Sequence, residues 1–281
     1  MLYCSWEFIG LTSALLIGYF HERPGPCRNG LYTFVVYRIC DLGLVTAAVT
    51  IHHLCGSGDF ERFLGHPTSL LPAQAAFVGG LLLVAAMGKA AQLPFSGWLP
   101  RAMEGPTPST AIFYGALSVH AGVYLLLRIS PLLEASRGLS IAVVAVGLST
   151  ALMARFVGQV QTDIKCSLAY ASMAQVGLIV AEIGLGFRLL PIGHAVGHAV
   201  FRSVQFLRAP SLLHEIHEMH SNLGGSKPTR PATQPWLYRL ALERGLLEVV
   251  IERGLLTPFV RFCRALHRAD QWVVNLVGGK A

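Results

Sequence analysis

Eight ionisable residues in this chain stand where protons are hard to place. Glu7 sits in SWEFIG, Arg38 and Asp41 in VVYRICDLG, Lys89 in LVAAMGKAAQLPFSGWLP and His120 in LSVHAGVYLLLR. His194, His198 and Arg202 share the segment GHAVGHAVFRSVQFL. All interrupt apolar runs. Charged groups in such runs are costly to desolvate, so they face a bundle interior or a hydrated path. Burial disfavours a charged amine and a nearby carboxylate restores it, so Lys89 can gain or lose a proton as its partner moves. Pro94, five residues on, breaks the helix and frees carbonyls that water or a side chain can satisfy. A broken helix beside a titratable group recurs in ion transporters. His194, His198 and Arg202 fall at i, i+4 and i+8, on one helical face. At helical rise they form a polar stripe about 12 Å long. The chemistry these types and spacings suit is proton transfer inside a membrane.

Structural readings compete at several positions. Glu7, near the chain start, can snorkel to the interface. Arg38 and Asp41, at i and i+3, can be a structural pair, and His120 a satisfied core histidine. Three aligned ionisable groups at 194, 198 and 202 are harder to explain by packing, and so is Lys89. HEIHEMH at 214–220 offers His-x-x-His-x-x-His in a polar stretch, but H-E-x-x-H is absent because position 218 is Glu218; no metal site is expected. No Gly-rich phosphate loop, G-x-S-x-G elbow or dinucleotide fingerprint occurs, so no cofactor is expected either.

The elements that must position these groups follow from composition. Of 281 residues, 53% are hydrophobic and 13% charged, with a mean hydropathy of +0.53. Soluble domains carry about 25% charged residues. The shortage points to an integral membrane protein. The net charge of +7 speaks weakly for nucleic acid, because the basic residues lie mostly in short connections, as topology-setting loops do. No cleavable signal peptide is expected, since the first apolar stretch holds Glu7 and lacks a basic n-region. The six cysteines show no C-x-x-C spacing and read as reduced thiols.

A hydrocarbon core of about 30 Å needs about 20 helical residues. The expected spans are 1–20, 31–54, 72–93, 108–128, 139–157, 167–187 and 189–208, separated by ERPGPCRNG at 22–30, GSGD at 56–59, EGPTP at 104–108, and Pro131 with Gly138. The fold class is therefore all-α, a multi-pass transmembrane bundle of about seven spans, one broken near Pro94. One side carries Arg23, Arg28, Arg101, Arg155, Lys165, Arg208, Lys227 and Arg230; the other carries Arg62, Arg128, Arg137 and Arg188. The richer side reads as cytoplasmic. This places the N-terminus outside and the tail inside.

Residues 1–208 form the transmembrane domain in this reading. Residues 209–235 are a polar linker with prolines at 228, 231 and 235. Residues 236–281 alternate Leu and Val with Arg and Glu at helical spacing, too charged to span. They read as an amphipathic helix along the membrane surface or along partner helices.

Taken in order, WEFIGLTSALLIGYF, FVVYRICDLG, GKAAQLPFSGWLPRAMEGPTPSTA, HAGVYLLLR, VQTDIKCSLAYASMAQVGLI and GHAVGHAVFRSVQFL resemble the antiporter-like membrane subunits of respiratory complex I. The large distal NuoL type is closest. The same family includes the large subunit of Mrp cation/proton antiporters and the membrane partner of DAB-type inorganic-carbon uptake complexes. The resemblance covers roughly residues 5–225. It implies a Glu–Lys pair on neighbouring helices, matched by Glu7 and Lys89, with Arg38 and Asp41 on the helix between. It also implies a central proton path through His194 and His198. Arg202 stands where the family usually has lysine; a guanidinium stays protonated at any accessible pH, so it can steer protons but not relay one. The family's histidine after the GPTP motif falls at Tyr114, with His120 further along. The family's first four or so helices and its second broken helix have no counterpart here, so the resemblance implies shortening at both ends.

These observations imply a membrane subunit of a proton-translocating complex, coupled to a reaction in partner subunits of the NADH:quinone oxidoreductase type, with no redox site of its own. Other membrane subunits, among them a chain supplying the absent helices, are the expected partners together with the lipid bilayer, and the cell (inner) membrane is the expected location. A carbon-uptake membrane subunit, a sodium/proton antiporter subunit and a non-conducting scaffold are the alternatives.

Overall fold

A computed structural model describes residues 1–56, 71–209, 236, 238, 241 and 251–277, the side chains of Leu255, Leu276 and Val277 excepted. Helices and the turns between them make up the described part, and no strand occurs among the described residues. The helices are α1 (Leu2–Ile17), α2 (Pro24–Cys55), α3 (Pro72–Lys89), α4 (Thr107–Arg128), α5 (Ser130–Ala135), α6 (Arg137–Gly158), α7 (Ile164–Gly184), α8 (Leu189–Arg208) and α9 (Thr257–Val277). Among them α2, α3, α4, α6 and α7 are long and apolar enough to cross a membrane. At 16 residues α1 is shorter, while α8 has 20 residues but carries the polar stripe.

Helix starts follow local chemistry. The proline-rich stretch at 22–30, expected to be a break, instead opens α2. Pro24 is its first residue, where the missing N–H would have had no helical partner anyway. Gly56, at φ 65, ends that helix in the left-handed region, which glycine adopts without steric cost. Asp163 caps α7 through Lys165 N and Cys166 N, and the Ser136 side chain accepts from Leu139 N to cap α6.

The third span is broken near Pro94, as expected, but the stop itself precedes the proline. Helix α3 ends at Lys89 itself rather than at Pro94. Ala91 adopts φ 51, and Gln92 N–H donates to Met87 O at 2.9 Å, the signature of a Schellman stop. The proline only prevents the helix from resuming, because its ring disfavours helical geometry at the residue before it. Groups freed by the break find partners. Trp98 Nε1 donates to Gly88 O at 2.8 Å, Gln92 Nε2 to Ala90 O at 2.8 Å and Leu93 N to Thr150 Oγ1 at 3.0 Å. The chain then runs through short turns, Phe95–Gly97, Trp98–Arg101 and Ala102–Glu104, into α4, whose first half, Thr110–Leu117, is a π-helix.

Packing runs around the bundle in a chain. Helix α1 lies on α2, α2 on α3, α3 on α4, the π-helical part of α4 on α8, α8 on α7 and α7 on α6. Trp98, Tyr32, Tyr37, Tyr114, Tyr170 and Lys89 are the largest side chains buried almost completely. One of these six is charged, and it marks the site.

Candidate proton-transfer site

The site has two clusters. The first gathers α1, α2 and the end of α3. Lys89 is the last residue of α3, where unpaired carbonyls favour a cation. Its residue is fully buried, and its Nζ lies 3.6 Å from Asp41 Oδ2. The same ammonium sits over the Tyr37 ring, 3.8 Å from its centroid, and 5.7 Å from that of Trp6. Asp41 is the hub. Its Oδ1 accepts from Trp6 Nε1 at 2.5 Å and its Oδ2 from Arg38 Nη2 at 3.0 Å. Arg38 also pairs with Glu7.

The order of charges is therefore Glu7, Arg38, Asp41, Lys89. Glu7 and Lys89 lie in one cluster but are not direct partners: Arg38 takes the Glu7 carboxylate, and Asp41 takes the lysine. The physical reason is register. Residues three apart on a helix share a face, and on α2 this puts Arg38 toward α1 and Asp41 toward both Trp6 and α3. Four alternating charges compensate one another where single ones would be prohibitive.

The second cluster joins α4, α7 and α8. His120 Nδ1 lies 2.5 Å from Ala116 O. A carbonyl only accepts, so Nδ1 donates and a neutral His120 presents Nε2 as an acceptor. His198 Nδ1 lies 3.2 Å from that Nε2 and donates to it, leaving His198 Nε2 buried with no hydrogen-bond partner. His194 contacts two groups, Glu182 Oε1 at 2.8 Å through Nδ1 and Gln175 Oε1 at 3.0 Å through Nε2. Arg202, one turn beyond His198, donates to Gln205 Oε1 at 2.7 Å.

Between the clusters lie two hydroxyls. Tyr37 OH is 3.0 Å from Ser118 Oγ, and Ser118 precedes His120 by two residues on α4. Tyr114, where the resemblance would place a histidine, is fully buried and donates to Ser13 O at 3.0 Å. Its proton is committed to a backbone carbonyl. Pro94 keeps the chain from continuing α3 past Lys89.

Glu182 and Gln175 were absent from the sequence-based set. Glu182 carried the same signal as the others, a carboxylate in the apolar segment LIVAEIG. Gln175, uncharged, carried none. The stretch HEIHEMH at 214–220 and the linker to 235 lie outside the described residues. All six cysteines are free thiols.

Helices of membrane-crossing length, joined in sequence and holding compensated charges between them, define a multi-pass α-helical membrane protein. Residues 1–241 match the family described as NADH:quinone oxidoreductase/Mrp antiporter, TM, and the chain belongs to that family. It is 35% identical over 244 residues to NADH-quinone oxidoreductase subunit L of Rhodobacter capsulatus, covering 83% of this chain and 34% of the relative. It is 36% identical over 227 residues to NADH-ubiquinone oxidoreductase chain 5 of Schizophyllum commune, covering 80% and 33%. The chain thus spans about a third of the length of these curated relatives. Among solved structures it resembles a chain of the Mrp complex from Dietzia sp. DQ12-45-1b, with TM-score 0.69 and 34% identity over 73% of this chain and 23% of that one. A chain of the membrane-bound sulfane sulfur reductase, an archaeal respiratory membrane complex, shares the fold at TM-score 0.66 and 20% identity, over 87% of this chain and 48% of that one.

Proposed function

We propose that this chain forms the proton-conducting part of a NuoL-like membrane subunit, coupled to a reaction carried out by partner subunits of the NADH:quinone oxidoreductase type. The observation that carries this reading is Lys89: a fully buried ammonium at the end of a helix that stops there, 3.6 Å from the carboxylate of Asp41. Separating that pair leaves each charge uncompensated in a medium that penalises both, and the lysine then releases its proton. Arg38 and Glu7 set the local field, while His120, His194 and His198 offer imidazole nitrogens able to receive and pass a proton. Arg202 contributes a fixed positive charge. The N-terminus faces outward and the tail lies on the cytoplasmic side of the membrane, in keeping with the basic residues at 23, 28, 101, 155, 165 and 208. The remaining length of the relatives is supplied by the rest of the protein or by a partner chain.

The test is Lys89→Ala in the assembled complex. Proton translocation falls by about a hundredfold or more, as befits removal of a proton-transfer group, while the complex still assembles. Wild-type pumping from an assembled Lys89→Ala complex would remove the lysine from the mechanism. A second reading, a subunit of a cation/proton antiporter, draws on the likeness to the Mrp complex chain. Proton flux that requires sodium on the opposite side distinguishes it.

A further inference from the structure

The tail and the first turns of α2 enclose a half-open cleft of about 630 Å³. Its lining includes Arg28 and Leu31 from α2, and Glu252, Val260, Arg261 and Arg264 from the tail. The lining is thus part apolar and part cationic. Glu252 is already paired with Arg28 and Arg101. Among the described residues Arg261 and Arg264 have no ion pair. Two guanidiniums of the lining are therefore left without a counter-ion. Residues 1–241 carry the family match, so α9 lies beyond it.

Helix α9 repeats both chemistries along its length. Arg261, Arg264 and Arg268 fall at i, i+3 and i+7, on one face. Phe259, Phe262, Leu266 and Val273 fall at i, i+3, i+7 and i+14, on a second face. Every residue from Arg261 to Asn275 is exposed, so the described residues of the bundle cover neither face. A basic stripe backed by large apolar side chains suits a helix lying in a membrane interface. The position of the cleft selects the same surroundings. At 32 residues, α2 is about 48 Å long, well over a hydrocarbon core of about 30 Å. Arg28 and Asn29 mark the polar end at which its first turns stand in the headgroup layer. Leu31 and Leu42, both exposed and about three turns apart on one face of α2, lead from the cleft into the apolar depth.

We propose that the cleft between α2 and α9 binds the headgroup of an anionic membrane phospholipid through Arg28, Arg261 and Arg264, and that this lipid seats the tail on the membrane surface. A phosphodiester is an anion, and guanidinium forks match its oxygens in pairs. The acyl chains follow Leu31 and Leu42 down α2. A choline headgroup brings a cation for which the lining has no aromatic ring and no carboxylate free of an ion pair. A glycerol headgroup brings none, so the site selects it. In the alternation of the helices the cleft lies on the side of Arg155, Lys165 and Arg208. The basic bias assigns that side to the cytoplasm, where an anionic leaflet attracts arginine clusters. The inference draws on the chain's place in a membrane and not on the proton-conducting reading.

The experiment titrates the full chain in detergent with phosphatidylglycerol or phosphatidylcholine and reads each affinity by native mass spectrometry. At about fivefold per arginine, the three arginines give phosphatidylglycerol a preference of about a hundredfold. Arg261→Gln with Arg264→Gln lowers that preference about 25-fold, while Arg261→Lys with Arg264→Lys keeps most of it. Arg137→Gln, at the other end of the bundle, leaves it unchanged. In nanodiscs, hydrogen exchange over Thr257–Val277 is slower with phosphatidylglycerol present than with phosphatidylcholine alone, and the double glutamine variant loses the difference. Unchanged exchange in α2 and α3 of that variant shows an intact fold. Equal affinity for the two lipids overturns the proposal, and so does a preference that survives the double glutamine variant. Displacement of phosphatidylglycerol by inorganic phosphate shows a site for soluble anions and overturns the lipid assignment. Equal slowing of exchange in both kinds of nanodisc shows a tail held by apolar contact alone, which overturns the headgroup's role. Wild-type pumping by Lys89→Ala, which removes the proton-conducting reading, leaves the lipid result standing.

Discussion

Asp41 and Lys89 face each other across α2 and α3 at 3.6 Å, and the same carboxylate holds Trp6 Nε1 and Arg38. Asp41, not Glu7, is the group whose charge the lysine depends on for compensation. Asp41→Asn leaves the ammonium without that partner, and breaking a buried pair costs about 3–5 kcal/mol. Thermal unfolding of the purified protein in detergent therefore shows a larger loss for Asp41→Asn than for Glu7→Gln. Glu7 pairs with Arg38 rather than with the lysine, so removing its charge leaves the Asp41–Lys89 pair compensated and costs less. The double variant Asp41→Asn with Lys89→Ala removes both charges of the pair and recovers part of the loss. Strict additivity of the two single effects contradicts the pairing.

Two glycines bring α6 and α7 into contact. A Cβ on Gly177 would lie 2.7 Å from Gly147 O and 2.9 Å from Ala151 N, and one on Gly147 would lie 2.5 Å from Gly177 O. Helices in lipid associate through such small-residue approaches, having no hydrophobic drive between them. Gly177→Ala or Gly147→Ala pushes the two backbones apart at a cost of about 1–3 kcal/mol, read as a lower yield of folded protein and a lower unfolding temperature. Gly193, beside His194, has open space at its Cβ position. There the same substitution gains about 1 kcal/mol in helix propensity. Equal effects at 177 and 193 contradict the close crossing.

The helices were legible because apolar runs of about 20 residues suit a helix crossing a bilayer, where each segment satisfies its own backbone. Their edges were less so. Pro24 and Pro26 read as a break, yet proline suits a first helical turn; Pro94 read as the break itself, yet the αL turn at Ala91 already ends α3. The ionisable residues were visible as exceptions to the apolar pattern. Their partners were not. The resemblance paired Glu7 with Lys89, whereas the rotation of α2 about its axis puts Arg38 and Asp41 in between, and no spacing within a single helix reports that rotation. Glu182 obeys the same exception rule as Lys89, as the one carboxylate in the apolar span 167–187. The π-helical turn at Thr110–Leu117, which swings Tyr114 onto Trp98 with ring centroids 5.6 Å apart, has no sequence signature of the kind that proline or glycine provides.

Glu252 ties the tail to the bundle beside the broken helix. It pairs with Arg28 near the start of α2 and, at 3.4 Å, with Arg101, whose guanidinium stacks 4.2 Å from the centroid of the Tyr32 ring. Ile251 and Leu256, on either side, are buried, while α9 beyond exposes Phe259, Phe262, Leu266 and Trp272 beside Arg261, Arg264 and Arg268. The clamp is thus the point where the segment leading from Lys89 to α4 meets the tail. Glu252→Gln removes one charge from two ion pairs that are partly solvated, so global stability changes by no more than about 1 kcal/mol. Local docking is more sensitive. Loss of about 1 kcal/mol of docking free energy raises the undocked population of α9 about fivefold, which hydrogen exchange over Thr257–Val277 registers directly. Arg101→Gln has the same effect on α9 and also removes the cation stacked on the Tyr32 ring, so exchange near Tyr32 rises in that variant alone. Unchanged exchange across Thr257–Val277 in both variants shows that Ile251 and Leu256 hold the tail without the clamp.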